Sequence, residues 1–161
     1  MKVSMKQAIK ELSLIETEIT KLLDFEEREK KVVYLKGEKP EESSYDLAKI
    51  TKSIDLLQDK KRKIKLALAY ANATVKTTYK EMTISELLVY LAQLNQKFLR
   101  LQRLANNTKK VRITTRDGQI EYTECRFEPT ECDKTSVKVS EEIIQVQIAI
   151  DKANIDTIIE I

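Results

Sequence analysis

Between Thr83 and Ala105 the apolar residues Ile84, Leu87, Leu91, Leu94, Phe98 and Leu101 recur at alternating steps of three and four, which places them on one stripe of an α-helix. Thr83 followed by Glu86 predicts a capping box at its start, and Asn106-Asn107 marks its end. A heptad rhythm also runs through Met5, Ala8, Leu12, Ile15, Ile19 and Leu22, with Ile9, Leu23 and Phe25 widening the stripe. This predicts a first helix over 4–36, with a point of interruption at the charged run Glu26 to Lys31, and a chain reversal over Gly37 to Ser44. A second helix over 44–71 follows from Leu47, Ile50, Ile54, Leu57, Ile64 and Leu68; Lys61 stands where an apolar residue is due. At 1.5 Å per residue such a helix approaches about 40 Å, so residues 1–72 read as a long antiparallel helical hairpin.

The pattern changes after the third helix, which occupies 83–106. Val111 to Thr115 and Ile120 to Thr123 alternate around Arg116-Asp117-Gly118-Gln119, which predicts a β-hairpin over 111–124. Asp-Gly favours a two-residue type I′ turn, and that turn sets Ile113 opposite Tyr122, with Arg112, Thr114 and Glu121 on the other side. Arg126 to Lys138 reads as the least structured stretch. Beyond it, Ile144, Val146, Ile148 and Ile150 alternate as a strand would, while Ile143, Val146, Ile150 and Ala153 fit a helix that Ser140 can cap. We read 140–159 as a C-terminal helix. The fold class expected is therefore mainly α: a single domain over 1–161 with a long helical hairpin, further helices and one small β-hairpin. Because long thin rods cannot cover their own apolar stripes, the helices are expected to form an oligomeric bundle of identical copies.

Composition sharpens this picture. Two glycines and two prolines in 161 residues leave little material for many short strands. The 29 basic and 26 acidic residues nearly balance, at a net charge of +3, so no strong field favours nucleic acid or a membrane surface. No apolar run approaches the roughly 20 residues of a membrane span, and the chain starts directly in an amphipathic pattern. Cys125 and Cys132 lie in a polar segment without metal-type spacing, which reads as reduced thiols in the cytoplasm.

The chain has no histidine. Ser-His-Asp and Cys-His catalysis and histidine metal sites are thereby excluded, and Gly37 and Gly118 are too far apart to build a phosphate loop. We expect no enzyme activity, no metal and no cofactor. Lys60-Lys61-Arg62-Lys63 reads as a solvated face, and Arg100 and Arg103 as partners of acids on a neighbouring helix. The most chemically suggestive grouping is Arg112 and Arg116 on one strand, Tyr122 on the next, and Arg126 nearby in sequence. Guanidinium forks and a ring suit a small anionic, nucleotide-like ligand; the competing reading pairs the arginines with Glu121 and Glu124. Asn72 and Thr74, at the end of the second helix, are either capping residues or part of a site.

Ala71-Asn72-Ala73-Thr74-Val75 is similar to the Ile-Asn-x-Thr-Asn motif of the septicolysin-like family, small helical proteins of bacteria and their phages without an established common activity. Ile150-Asp151-Lys152-Ala153-Asn154-Ile155 resembles that family's Ile-Gln-x-x-Asn-Trp, and Lys36-Gly37-Glu38-Lys39-Pro40-Glu41 its Glu-Gly-x-x-Pro connection. The resemblance implies site roles for Asn72, Thr74 and Asn154, the positions that match; Val75, Asp151 and Ile155 depart from the motifs, and Leu91-Ala92 stands where the family has Arg-Asp. Sequestration of an anion between copies is the leading expectation, and a purely structural or protein-interaction module is the alternative.

Overall fold

Four helices and two short antiparallel strand pairs, in the order β1(Lys2–Ser4), α1(Met5–Glu29), α2(Leu47–Thr74), α3(Ile84–Ala105), β2(Lys110–Thr114), β3(Ile120–Glu124), α4(Pro129–Asp156) and β4(Ile158–Glu160), make up the computed structural model, which describes residues 1–161. The protein is mainly helical. Its contacts cluster into two compact units, one of Met1–Asn72 with Asn154–Ile161 and the other of Ala73–Ala153.

In the first unit, α1 buries Met5, Ala8, Ile15 and Ile19, the stripe that the heptad rhythm marks. Ile9 and Leu23, which were expected to widen that stripe, are exposed instead. Ser4 caps the helix, accepting from the Gln7 amide while the Gln7 side chain accepts from the Ser4 amide. The helix stops at Glu29, short of the expected Lys36. Val32, Val33 and Leu35 have no partner on a helical face, and Val33 is 97% exposed, so nothing offsets the entropy of extending the helix through β-branched residues. Gly37, at a φ of +97°, closes a turn in which the Glu38 amide donates to the Leu35 carbonyl.

Asp46 starts α2 by accepting from the Lys49 amide at 3.1 Å, which sets the start three residues later than expected and leaves Leu47 exposed on the first turn. The stripe of α2 buries Ile50, Ile64, Leu68 and Ala71. Ion pairs Lys60–Glu11 (2.6 Å) and Lys61–Glu16 (2.9 Å) join α2 to α1. The chain ends form a strand pair that the sequence does not announce: Val3 lies opposite Ile159, which is buried, and the Met5 amide donates to the Thr157 carbonyl. Helix therefore ends at Asp156, not 159.

In the second unit, α3 follows its expected bounds closely and buries Ile84, Leu87, Leu94 and Leu101. The segment Arg126 to Lys138 is not irregular past Pro129. Proline suits the first helical position, where its missing N–H is not needed, and Pro129, Cys132, Ser136, Val139, Ile143, Val146 and Ile150 continue one seam at steps of three and four. Ser136 is 3% exposed and returns its hydroxyl to the Asp133 carbonyl at 2.8 Å, which lets a polar residue sit in that seam.

The hairpin also departs from expectation. Arg112 lies opposite Tyr122 and Ile113 opposite Glu121, one residue away from the register a two-residue turn gives. The Gly118 amide donates to the Thr115 carbonyl, the Thr115 amide to the Gln119 carbonyl, and Gly118 alone in this loop has positive φ, at +76°. That is a three-residue loop closed by a left-handed glycine; Asp117 does not adopt the positive φ that type I′ requires. The added loop residue moves every cross-strand pair by one.

Candidate functional site

The expected site residues divide between the units. Asn72 and Asn154 belong to the first, and Thr74, Arg112, Arg116, Tyr122 and Arg126 to the second. Asn72 and Asn154 are half-buried, and Thr74 is an exposed residue of the last turn of α2.

The observed register improves one part of the grouping. Directly opposed residues share a face, so Lys110, Arg112, Thr114, Ile120, Tyr122 and Glu124 form one side of the hairpin. Lys110 Nζ sits 4.7 Å from the centre of the Tyr122 ring and 3.5 Å from Glu124. The competing expectation, that Glu121 and Glu124 neutralise the arginines, is not met: Glu124 goes to Lys110, and Arg112, Arg116 and Arg126 form no ion pair. Arg116 lies in the loop and Arg126 beyond the hairpin base. Arg100 and Arg103 likewise lack the acidic partners expected of them. Every residue of β2 and β3 is exposed, so this is an open face and not a cleft.

The base of the hairpin is tied down by Lys109. Its ammonium donates to the carbonyls of Cys125 and Phe127, both at 3.0 Å, and pairs with Glu128 at 2.6 Å. Chiefly through Glu128, this holds the ammonium above its ordinary pKa. Cys125 and Cys132 are half-buried free thiols.

A second cluster, absent from the sequence-based candidates, is better built. Glu142 on α4 accepts at a single oxygen, Oε1, from the Tyr79 hydroxyl at 2.6 Å and the Tyr90 hydroxyl at 2.7 Å, with Lys80 Nζ at 3.4 Å from the same atom. Lys80 Nζ also lies 4.8 Å from the Tyr79 ring centre and 5.6 Å from that of Tyr90; the two rings are 6.4 Å apart and inclined by 34°. The Tyr79 bond, then the Tyr90 bond, hold the Glu142 carboxyl below the usual carboxylate range against the opposing effect of desolvation. Reciprocally, the bond to Glu142 raises the Tyr90 phenol.

The turn that presents Tyr79 and Lys80 explains how these side chains converge. Buried Thr77 donates its hydroxyl to the Met82 carbonyl at 2.9 Å and accepts from the Tyr79 amide, while Lys76 bridges to Thr83. Lys80 and Glu81 take left-handed conformations, with φ of 51° and 53°, which residues with a Cβ adopt at some cost. Beside the cluster, Tyr90 lines a shallow groove with Met82, Ser85, Glu86, Val89 and Gln93. One signal in the sequence pointed here. Glu142 falls three residues after Val139 and four before Val146, a carboxylate beside a buried stripe.

No protein-family model matches the chain, and no curated protein does. Among solved structures, it is similar to the crystal structure of a functionally unknown conserved protein from Corynebacterium diphtheriae, with a TM-score of 0.70 at 15% identity, over 99% of this chain and 100% of that one. At that identity the likeness speaks to the fold. No helix of the protein is long and apolar enough to cross a membrane.

Proposed function

We propose that this protein is a non-enzymatic, cytoplasmic assembly protein in which identical copies pack through exposed apolar helix faces, with α1 and α2 as a long antiparallel hairpin. The observation that carries this is on α4, where Val137, Ile144 and Ile148 share one face and are 52%, 52% and 61% exposed. Steps of seven and four keep them on a seam of coiled-coil type. Leu88 and Leu99, at 47% and 51%, repeat the arrangement on α3. Exposed apolar residues aligned along one helix face are the kind of surface through which helices associate. Kinship with septicolysin-like proteins, resting on Asn72, Thr74 and Asn154, is part of the same proposal.

Within that assembly, the hairpin face is the proposed anion site. Arg112 lies opposite Tyr122 without an acidic partner, so a guanidinium fork is available to a small nucleotide-like anion, beside a ring that already carries Lys110 over one face. A purely structural module is the competing reading, supported by the openness of that face.

Sedimentation velocity at micromolar concentration tests the assembly: an oligomer is expected, and Ile144→Glu with Ile148→Glu is expected to release folded monomers. A wild-type monomer would end the proposal. Calorimetry with a nucleotide panel tests the ligand separately, and heat that survives Arg112→Ala would place the ligand elsewhere.

A further inference from the structure

Tyr79, Tyr90 and Glu142 surround an ammonium group, and the group they surround belongs to the chain itself. Lys80 Nζ stands within 6 Å of both ring centres and 3.4 Å from Glu142, an arrangement in which ring quadrupoles and a carboxylate attract one cation together. From this geometry we propose that the Tyr79–Tyr90–Glu142 cluster is a binding site for small organic ammonium ions, with Lys80 as its resident competitor.

Three features argue for a site over a simple tie. First, the cage is held without Lys80. The two phenol hydroxyls are fixed by Glu142 at 2.6 and 2.7 Å, which orients both rings whether or not a cation is present. Second, all three donors use Oε1 of Glu142, so none of them occupies Oε2. Third, Lys80 is a loose occupant. Its side chain is 61% exposed, its distance to the carboxylate is long for a charge-assisted bond, and it reaches the cage from a left-handed residue of a tight turn. A quaternary or alkylated ammonium is less strongly hydrated than a lysine head and presents apolar groups to the rings, the chemistry that aromatic cages select.

The charged surroundings fit this class of ligand. From the turn the site faces Tyr79 and Lys80, from α3 Tyr90, and from α4 Glu142, so with Lys80 withdrawn the carboxylate remains as the charge to be met. Lys80 then sets the affinity, because an external cation binds only to the fraction of molecules in which the lysine has swung out.

The test uses the full chain and tetramethylammonium chloride as probe, titrated at constant ionic strength against sodium chloride, with the ring signals of Tyr79 and Tyr90 followed by NMR. Lys80→Gly removes the competitor and suits the positive φ of that residue. Saturable shifts of both rings are expected in Lys80→Gly, at least about fivefold weaker binding in the wild type, and no saturable shift when Glu142→Gln is added. Lys80→Asn, which also tolerates a left-handed backbone, serves as the second variant should the glycine loosen the turn. Absence of saturation in both variants overturns the proposal, as does an equal response to sodium or an unchanged affinity after Glu142→Gln.

Discussion

Lys61 Nζ lies 2.9 Å from Glu16 Oε1, joining α2 to α1 at the one position of the α2 stripe where a charge replaces an apolar residue. The Lys61 side chain is 23% exposed and that of Glu16 53%, so the lysine stem packs along the apolar stripe while its head reaches outward to the carboxylate. Lys61→Met is therefore expected to equal or exceed the wild type in stability, whereas Lys61→Glu is expected to lower it through like-charge contact. The hydrogen bond from Lys61 holds the Glu16 carboxyl below its ordinary value of 4.5. A depressed carboxylate adds stability that is fully present above the unfolded pKa and fades as pH falls through the folded one. Urea midpoints of wild type and Glu16→Gln should accordingly differ at pH 7 and converge as pH falls through the folded pKa of Glu16.

Leu87 and Leu88 are neighbours in sequence with opposite environments, 0% and 47% exposed. Leu87→Ala should cost about 2–5 kcal/mol, the range for emptying a packed leucine site. Leu88→Ala should change the stability of an isolated copy by less than about 0.5 kcal/mol. Urea unfolding at two protein concentrations separates the alternatives. A loss at Leu88 that grows with concentration identifies that face as an interface between copies.

The helical part of this fold was legible because its apolar spacing is nearly unbroken: the α3 stripe and the α1 stripe from Met5 to Ile19 turn inward as their periodicity requires, with Leu12, Leu91 and Phe98 half-buried and the other members buried. The first half of α4 was not legible, since its seam passes through Pro129, Cys132 and Ser136. Two of these look like loop residues, yet a proline at the first helical position and a serine returning its hydroxyl to the backbone are both compatible with a buried helix face. The paired chain ends are three residues long each, too short for a period of two to register. The Tyr79–Tyr90–Glu142 cluster was hidden for a different reason. Its members are 11 and 52 residues apart along the chain, as the positions of Tyr79, Tyr90 and Glu142 show, and the turn that carries Tyr79 contains left-handed Lys80 and Glu81, which no glycine advertises.

Gly118 offers a direct test of the hairpin register. A Cβ at this position meets nothing within 4 Å, so any cost of Gly118→Ala comes from the backbone, on the order of 1–2 kcal/mol for a left-handed residue. That cost should fall on the hairpin, seen as faster amide exchange in β2 and β3 with α3 unaffected. Gly118→Asn should be milder. Asp117→Gly distinguishes the two loops: a type I′ turn would gain stability from a second glycine, while the observed three-residue loop should gain none.

Glu142 and Tyr90 together predict a stability window with two limbs in the turn over 77–82. The Glu142 carboxyl is depressed below 4.5, so its contribution is complete above that value and is lost as pH falls through the folded pKa. The Tyr90 phenol is raised above 10.0, so the neutral form is favoured; that contribution is complete below 10.0 and is lost as pH rises through the folded pKa. Lys80, raised above 10.5 first by its bond to Tyr79, adds to the alkaline limb with the same sign. Amide exchange of Tyr79 and Met82, corrected for intrinsic rates, should be slowest between the two limbs. Glu142→Gln should flatten the acid limb, and Tyr90→Phe should leave Lys80 as the remaining source of the alkaline one. A turn whose protection ignores pH in both variants and in the wild type would mean that the left-handed residues are held by Thr77 and the Lys76 to Thr83 bridge alone.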